Sequence, residues 1–129
     1  MKTILVDAVD TLIIKDQGID QEMFELLESF PNRKVVLTNA PEDRMEEPDF
    51  LEVPYEIFSL YNDPNKSDPE YFRTMLTQLM LEAKDVVYFE HNPEAVKSAE
   101  SVGINTYHFD PEKRDIPALK DFLTHELSE

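Results

Sequence analysis

The chain has 129 residues, 41% of them hydrophobic and 31% charged, which is enough apolar content for one packed domain and too much for a disordered chain. Its 28 acidic against 12 basic side chains leave a formal net charge of -16, which opposes approach to nucleic acid or to an anionic membrane and attracts divalent cations. No apolar run approaches the roughly 18 residues that span a bilayer, no basic and apolar leader opens the chain, and without cysteine there is no disulfide framework or thiolate site, so a cytoplasmic protein is expected.

Taken in order, Ile4, Leu5 and Val6 form an apolar run that stops on Asp7, with Asp10 and Thr11 close behind. A strand buried on both faces has this pattern, because its polar residues begin only where it leaves the sheet. Ligands of open α/β sheets bind outside the carboxyl ends of the strands, so Asp7, Asp10 and Thr11 are expected to face one. Residues 15–18 read as a polar turn. Asp20 is placed to cap a helix carrying Met23, Phe24, Leu26, Leu27 and Phe30, which Pro31 and Asn32 end. Residues 34–39 read as a second strand, and two strands joined by one helix make a right-handed parallel crossover.

The acidic, proline-bearing stretch 41–54 is expected to hold one short helix inside a loop, and 55–61 to form a third strand followed by a turn at 62–65. Asp68 or Ser67 then caps an amphipathic helix with Pro69 in its first turn and Phe72, Met75, Leu76, Leu79 and Met80 as its buried stripe. Residues 85–89 form a fourth strand that runs into Glu90, His91 and Asn92. The helix from Pro93 shows Ala95, Val96, Ala99 and Val102 on one face and stops at Gly103. A fifth strand at 104–109 and a helix at 117–127 close the chain. Five strands alternating with about five helices predict one three-layer, doubly wound α/β domain of Rossmann type over residues 1–129, with a five-stranded parallel sheet. Phe50, Leu51 and Tyr55 are candidate interface residues, and oligomeric state stays open.

The polar strand ends carry a further pattern. Asp7, Thr11 and Leu12 are in register with the first motif of the haloacid dehalogenase-like (HAD) phosphohydrolases, an apolar strand followed by Asp, any residue, Asp, Gly, Thr and Leu. Val9 stands where the family's phosphatases carry their second Asp, and Asp10 where they carry Gly. The strand ending on Thr38 and Asn39 resembles the second motif. Lys66, followed by Pro69, Tyr71 and Phe72, is similar to the third. Residues 86–103 resemble the fourth, with Glu90 and His91 where the family has a pair of Asp, or Gly-Asp. The resemblance spans residues 3–109.

The resemblance implies a strand order of 5-4-1-2-3 and a set of roles. Asp7 would be the nucleophile that forms an aspartyl phosphate, Thr38 and the Asn39 backbone would donate to phosphoryl oxygens, and Lys66 would add positive charge. Thr11 and Asn39 are the expected substrate contacts. Magnesium would sit between Asp7, the backbone carbonyl of Val9 and Glu90, whose extra methylene keeps the charge and shifts the geometry. His91 is a better ligand for zinc than for magnesium. Valine cannot supply the proton that the second Asp gives, a contribution of about 10² to 10⁴ in rate. Along an extended chain Asp10 points away from where Val9 points, unless the backbone bends. The spacing of the motifs leaves no room for a cap domain, so the site is expected to be open to a bulky substrate or to a partner acting as lid.

The resemblance implies a magnesium-dependent phosphatase of weak or narrow activity on a phosphorylated small molecule or protein, and the acidic charge and hydropathy lead to the expectation of no nucleic-acid or membrane partner. An alternative is a pseudoenzyme that binds or regulates on the same fold. A second is a receiver-like signalling domain phosphorylated on Asp63, with Asp7 and Asp10 as metal ligands; against it, Thr38 ends the wrong strand and Glu90 stands where such domains carry Thr or Ser.

Overall fold

The computed structural model of the chain describes residues 1–128. Strand β1 (Thr3–Asp7) is buried along its whole length, as a continuous apolar run requires. Two short strands follow, β2 (Ile13–Ile14) and β3 (Gly18–Ile19), paired as an antiparallel hairpin. Sequence patterning shows this stretch only as a polar turn, because two-residue strands carry no periodicity. Next come α1 (Gln21–Glu28), β4 (Lys34–Thr38), α2 (Glu42–Met45), α3 (Pro48–Leu51), β5 (Glu56–Ser59) and α4 (Pro69–Gln78). The chain ends with β6 (Val86–Glu90), α5 (Pro93–Ser101), β7 (Asn105–His108) and α6 (Ile116–Leu127). No helix among the described residues is long and apolar enough to cross a membrane.

The main sheet is parallel, in the order β5-β4-β1-β6-β7, which is the expected 5-4-1-2-3 when its five strands are counted alone. This order overturns the receiver-like reading. Receiver folds place the third strand beside the first, in the order 2-1-3-4-5, whereas here the third strand of the sheet, β5, pairs with β4.

Alternation along β1 divides the core between two faces. Ile4 and Val6 pack with Met23 and Leu27 of α1 and with Leu119 and Leu123 of α6. Leu5 points the other way, into Tyr71, Phe72 and Met75 of α4 and Ala99 of α5. Each such buried side chain contributes about 1.5–3 kcal/mol, and together they fix β1 at the centre of three layers.

Four local expectations change. Residues 41–54 hold two short helices, and Phe50, expected at the surface, is 1% exposed because it belongs to the same buried cluster as residues of β1 and α1. Met80 lies beyond the end of α4 at φ 56° and is 90% exposed, while Tyr71 is buried on that helix. Asp20 stands at the N-cap of α1 without capping it; its carboxylate accepts from Arg114 at 2.8 Å. At the start of α4 it is Asp68, not Ser67, that caps, accepting from the Glu70 amide at 3.0 Å.

Candidate active site

Register brings the functional side chains to one edge. Asp7 pairs with Leu37 on one side, and Val6 with Phe89 on the other, so Asp7, Thr38 and Glu90 leave the sheet at nearly the same level. Beyond Asp7 the chain turns sharply: the Ala8 carbonyl accepts from the amides of Leu12 and Ile13, both at 2.9 Å. Asp10 lies in this turn at φ 70°, the left-handed conformation that glycine adopts freely and aspartate tolerates better than most residues. Arg114, a residue the sequence reading passed over, fastens the turn by donating to the carbonyls of Asp10 (2.9 Å) and Thr11 (2.8 Å).

Four ionisable groups meet behind a cavity of about 610 Å³, lined in part by Asp7, Val9, Thr38, Lys66, Glu90 and His91. Lys66 Nζ is 2.7 Å from Asp7 Oδ1 and 2.7 Å from Glu90 Oε1, with all three side chains buried. Asp7 Oδ2 accepts from the Thr11 hydroxyl at 2.8 Å and from the His91 amide at 3.2 Å, and it also contacts His91 Nδ1. Glu90 Oε2 accepts from the Asn92 amide at 3.0 Å and lies 3.2 Å from His91 Nδ1. Tyr88 donates to Glu90 Oε1. The donor atoms of Asp7, Glu90 and His91 all fall within 4.8 Å of one another, a spacing at which one metal ion can be shared.

The charges reinforce one another. Burial alone pushes the Asp7 carboxyl up, but the Lys66 ammonium and the His91 hydrogen bond hold it far below the usual carboxylate range. Burial opposes charge on Lys66 too, and Asp7 and Glu90 reverse that, keeping it protonated. Hydrogen bonds to Asp7 and Glu90 push His91 up to about 10. At neutral pH the Asp7 carboxylate therefore faces two cations, Lys66 and His91.

Of the residues singled out in the sequence, Asp7, Thr38, Asn39, Lys66 and Glu90 share this cavity, and Val9 lines it with an apolar side chain. The Asn39 side chain accepts from the Lys66 amide at 2.9 Å and so positions the lysine. Thr38 Oγ1 accepts from the Ala40 amide at 3.1 Å. Thr11 is enclosed, with its hydroxyl spent on Asp7 rather than turned to the cavity. The backbone does bend at Asp10, but its carboxylate comes within 3.7 Å of His91 Nε2 and does not line the cavity as Val9 does. Asp63 is exposed and stands outside this group. Tyr88 was missed, although two-residue alternation from Glu90 places it on the same face of β6.

No protein-family model matches the sequence, and no curated protein matches it. Solved structures do. A predicted HAD-like family hydrolase from Porphyromonas gingivalis superposes with a TM-score of 0.74 at 15% identity, covering 95% of this chain and 98% of that one. The HAD family enzyme BT-2542 of Bacteroides thetaiotaomicron, an Asp-to-Ala mutant in complex with magnesium and inorganic phosphate, gives 0.72 at 13% identity over 92% and 98%. The fold is that of the HAD-like hydrolases. The UTR4 protein of Saccharomyces cerevisiae superposes with a TM-score of 0.54 at 13% identity over 70% of this chain, which spans 47% of that longer protein. Within the HAD-like fold the central strand ends at Asp7, the residue on which the local contacts converge.

Proposed function

We propose that this chain is a phosphohydrolase of weak or narrow activity that acts through Asp7 on a phosphorylated small molecule or protein. One observation carries the reading: a buried, ionised carboxylate ends the central strand of a HAD-like fold, opens onto a cavity and touches a buried lysine. In the proposed reaction an Asp7 oxygen bonds to phosphorus as the bond to the leaving oxygen breaks, giving an aspartyl phosphate. Water then attacks that phosphorus, releasing inorganic phosphate and restoring the carboxylate. Lys66 offsets charge on the phosphoryl oxygens, and Thr38 and the amides beside it supply donors.

Magnesium suits the hard oxygen donors of Asp7, Glu90 and the Val9 carbonyl, and when bound it would neutralise phosphoryl charge. The magnesium and phosphate complex of the Bacteroides enzyme supports this choice. A capless, open site in a cytoplasmic protein completes the proposal. Because Val9 has no proton to give, turnover depends on leaving groups that depart unprotonated.

A second reading, a regulatory or binding protein that kept the fold and lost turnover, is favoured by Val9 and by the imidazole of His91 standing against both carboxylates. Magnesium-dependent hydrolysis of an aryl phosphate beside an alkyl phosphate, with Asp7→Asn as control, separates them. Cleavage of the aryl ester alone, lost in Asp7→Asn, is the expected result. Cleavage of neither ester with any metal tested, whether magnesium, manganese, cobalt or zinc, would replace the hydrolase reading with the second.

A further inference from the structure

The two carboxylates of the site are divided in the same way. Asp7 Oδ1 and Glu90 Oε1 both turn back onto Lys66, each at 2.7 Å. Asp7 Oδ2 and Glu90 Oε2 both turn forward onto a single atom, His91 Nδ1. We propose that these three forward atoms are one metal site, and that His91 Nδ1 is a protein ligand that makes it select a borderline divalent transition ion, such as manganese, cobalt or zinc, over magnesium. The proposal rests on the reading of Asp7 and Glu90 as the metal carboxylates of the proposed hydrolase.

Geometry supports a shared ion. Bonds of about 2.0–2.2 Å from one ion to nitrogen and oxygen leave neighbouring donors about 3.0–3.4 Å apart. The separation of Nδ1 from Glu90 Oε2 is 3.2 Å, whereas Nδ1 and Asp7 Oδ2 are in direct contact and must move apart for an ion to enter between them. Nδ1 has no backbone carbonyl as partner among the contacts of the described residues, so an ion there displaces only its proton. The imidazole lines the cavity and is 26% exposed, which gives an ion access.

The far nitrogen of the ring also faces a carboxylate, beyond hydrogen-bond distance in the metal-free protein. Imidazoles that bind metals usually present their other nitrogen to a carboxylate, which fixes ring orientation and tautomer. Nε2 of His91 faces Asp10 Oδ2 at 3.7 Å, a contact available only because the chain turns at Asp10 with φ 70°. The backbone of His91 is pinned on both sides, its amide donating to Asp7 at 3.2 Å and its carbonyl accepting from His108 Nε2 at 2.8 Å. Thr11 orients the Asp7 carboxylate and the Asn92 amide that of Glu90. An imidazole nitrogen favours zinc and its neighbours in the first transition row, whereas magnesium seeks oxygen.

Cobalt(II) is the probe, titrated into the full chain and followed by its visible absorption, with magnesium as competitor. The expected result is a saturable band, one ion per chain, that excess magnesium does not remove. His91→Gln is expected to weaken cobalt binding by more than about 10-fold and to alter the band, and Asp10→Asn to weaken it by about 10-fold with the band retained. An identical band and affinity in His91→Gln, or displacement of cobalt by an equal concentration of magnesium, would overturn the proposal. Should His91→Gln fail to fold, the native protein decides: cobalt must shift the ring protons of His91 and leave those of exposed His125 in place, and the absence of that shift overturns it. Aryl phosphatase activity in magnesium with no His91-dependent cobalt binding would leave the hydrolase reading intact and remove this one.

Discussion

Asp7 and Lys66 lie 59 residues apart in the sequence and 2.7 Å apart in space, and both side chains are buried. The lysine approaches from the loop after β5, where the Asn39 side chain holds its amide, and its Nζ is shared between Asp7 and Glu90. Removing one partner of a buried ion pair leaves an uncompensated charge in a medium that solvates it poorly, a cost of about 3–5 kcal/mol. Lys66→Met is therefore expected to lower unfolding stability by about that amount in urea titrations. A change below about 1 kcal/mol would mean that His91 alone compensates the buried charge of Asp7.

Val9 decides which substrates turn over. Val9→Asp restores a proton donor at a position that already lines the cavity. Hydrolysis of an alkyl phosphate should rise by about 10²-fold or more, and hydrolysis of an aryl phosphate much less, since only the alkoxide needs the proton. Equal stimulation of both esters would show that Val9 acts on access to the site and not on protonation.

Asp10 has taken the glycine conformation without being glycine. Asp10→Gly is expected to change stability by no more than about 1 kcal/mol, because glycine enters φ 70° freely and loses only the distant contact to His91. Asp10→Val should cost about 1–2 kcal/mol, since a β-branched side chain is strained in that region. Thermal unfolding of the two variants side by side measures the difference.

The metal-free protein should lose stability as pH rises above neutrality. His91 is pushed up to about 10 from an ordinary value of 6.5 by its hydrogen bonds to Asp7 and Glu90. A raised value means that the folded state holds the proton more tightly. Its stabilising contribution is complete below about pH 6.5 and disappears as the pH passes through about 10. Unfolding midpoints between those limits should fall in the native chain and fall much less in His91→Gln. Asp7 acts at the other end: its carboxyl is held low, so its contribution is present above about pH 4 and is lost on acidification.

Much of this molecule is readable from local pattern. The apolar runs at 4–6, 35–37 and 86–89 announce buried strands, and each becomes one. Gly103 ends α5 with φ 89°, as a glycine after a helical stripe should. Asp7, Thr38 and Glu90 were identifiable because each stands where an apolar run stops, and Lys66 because the segment around it resembles the third HAD motif. Pattern fails where an element is too short to show a period, as in the β2 and β3 hairpin and the helices α2 and α3. It fails also where a polar side chain serves a distant segment: Asp20 has the look of a cap and is taken by Arg114, 94 residues away.

The sequence by itself determined the α/β alternation, the central strand and the residue types at the strand ends, because strand and helix periodicity and chain punctuation are local properties. That β5 lies beside β4 and not beside β1 was implied by the resemblance and decided by the tertiary structure, which removed the receiver-like reading. The tertiary structure alone turned Asp10 back toward His91 and set His91 against Asp7 and Glu90, across separations of up to 84 residues. Those contacts depend on how parallel strands align and where one tight turn sends the chain. No local pattern encodes either, since each arises only when distant segments are packed against the same sheet edge.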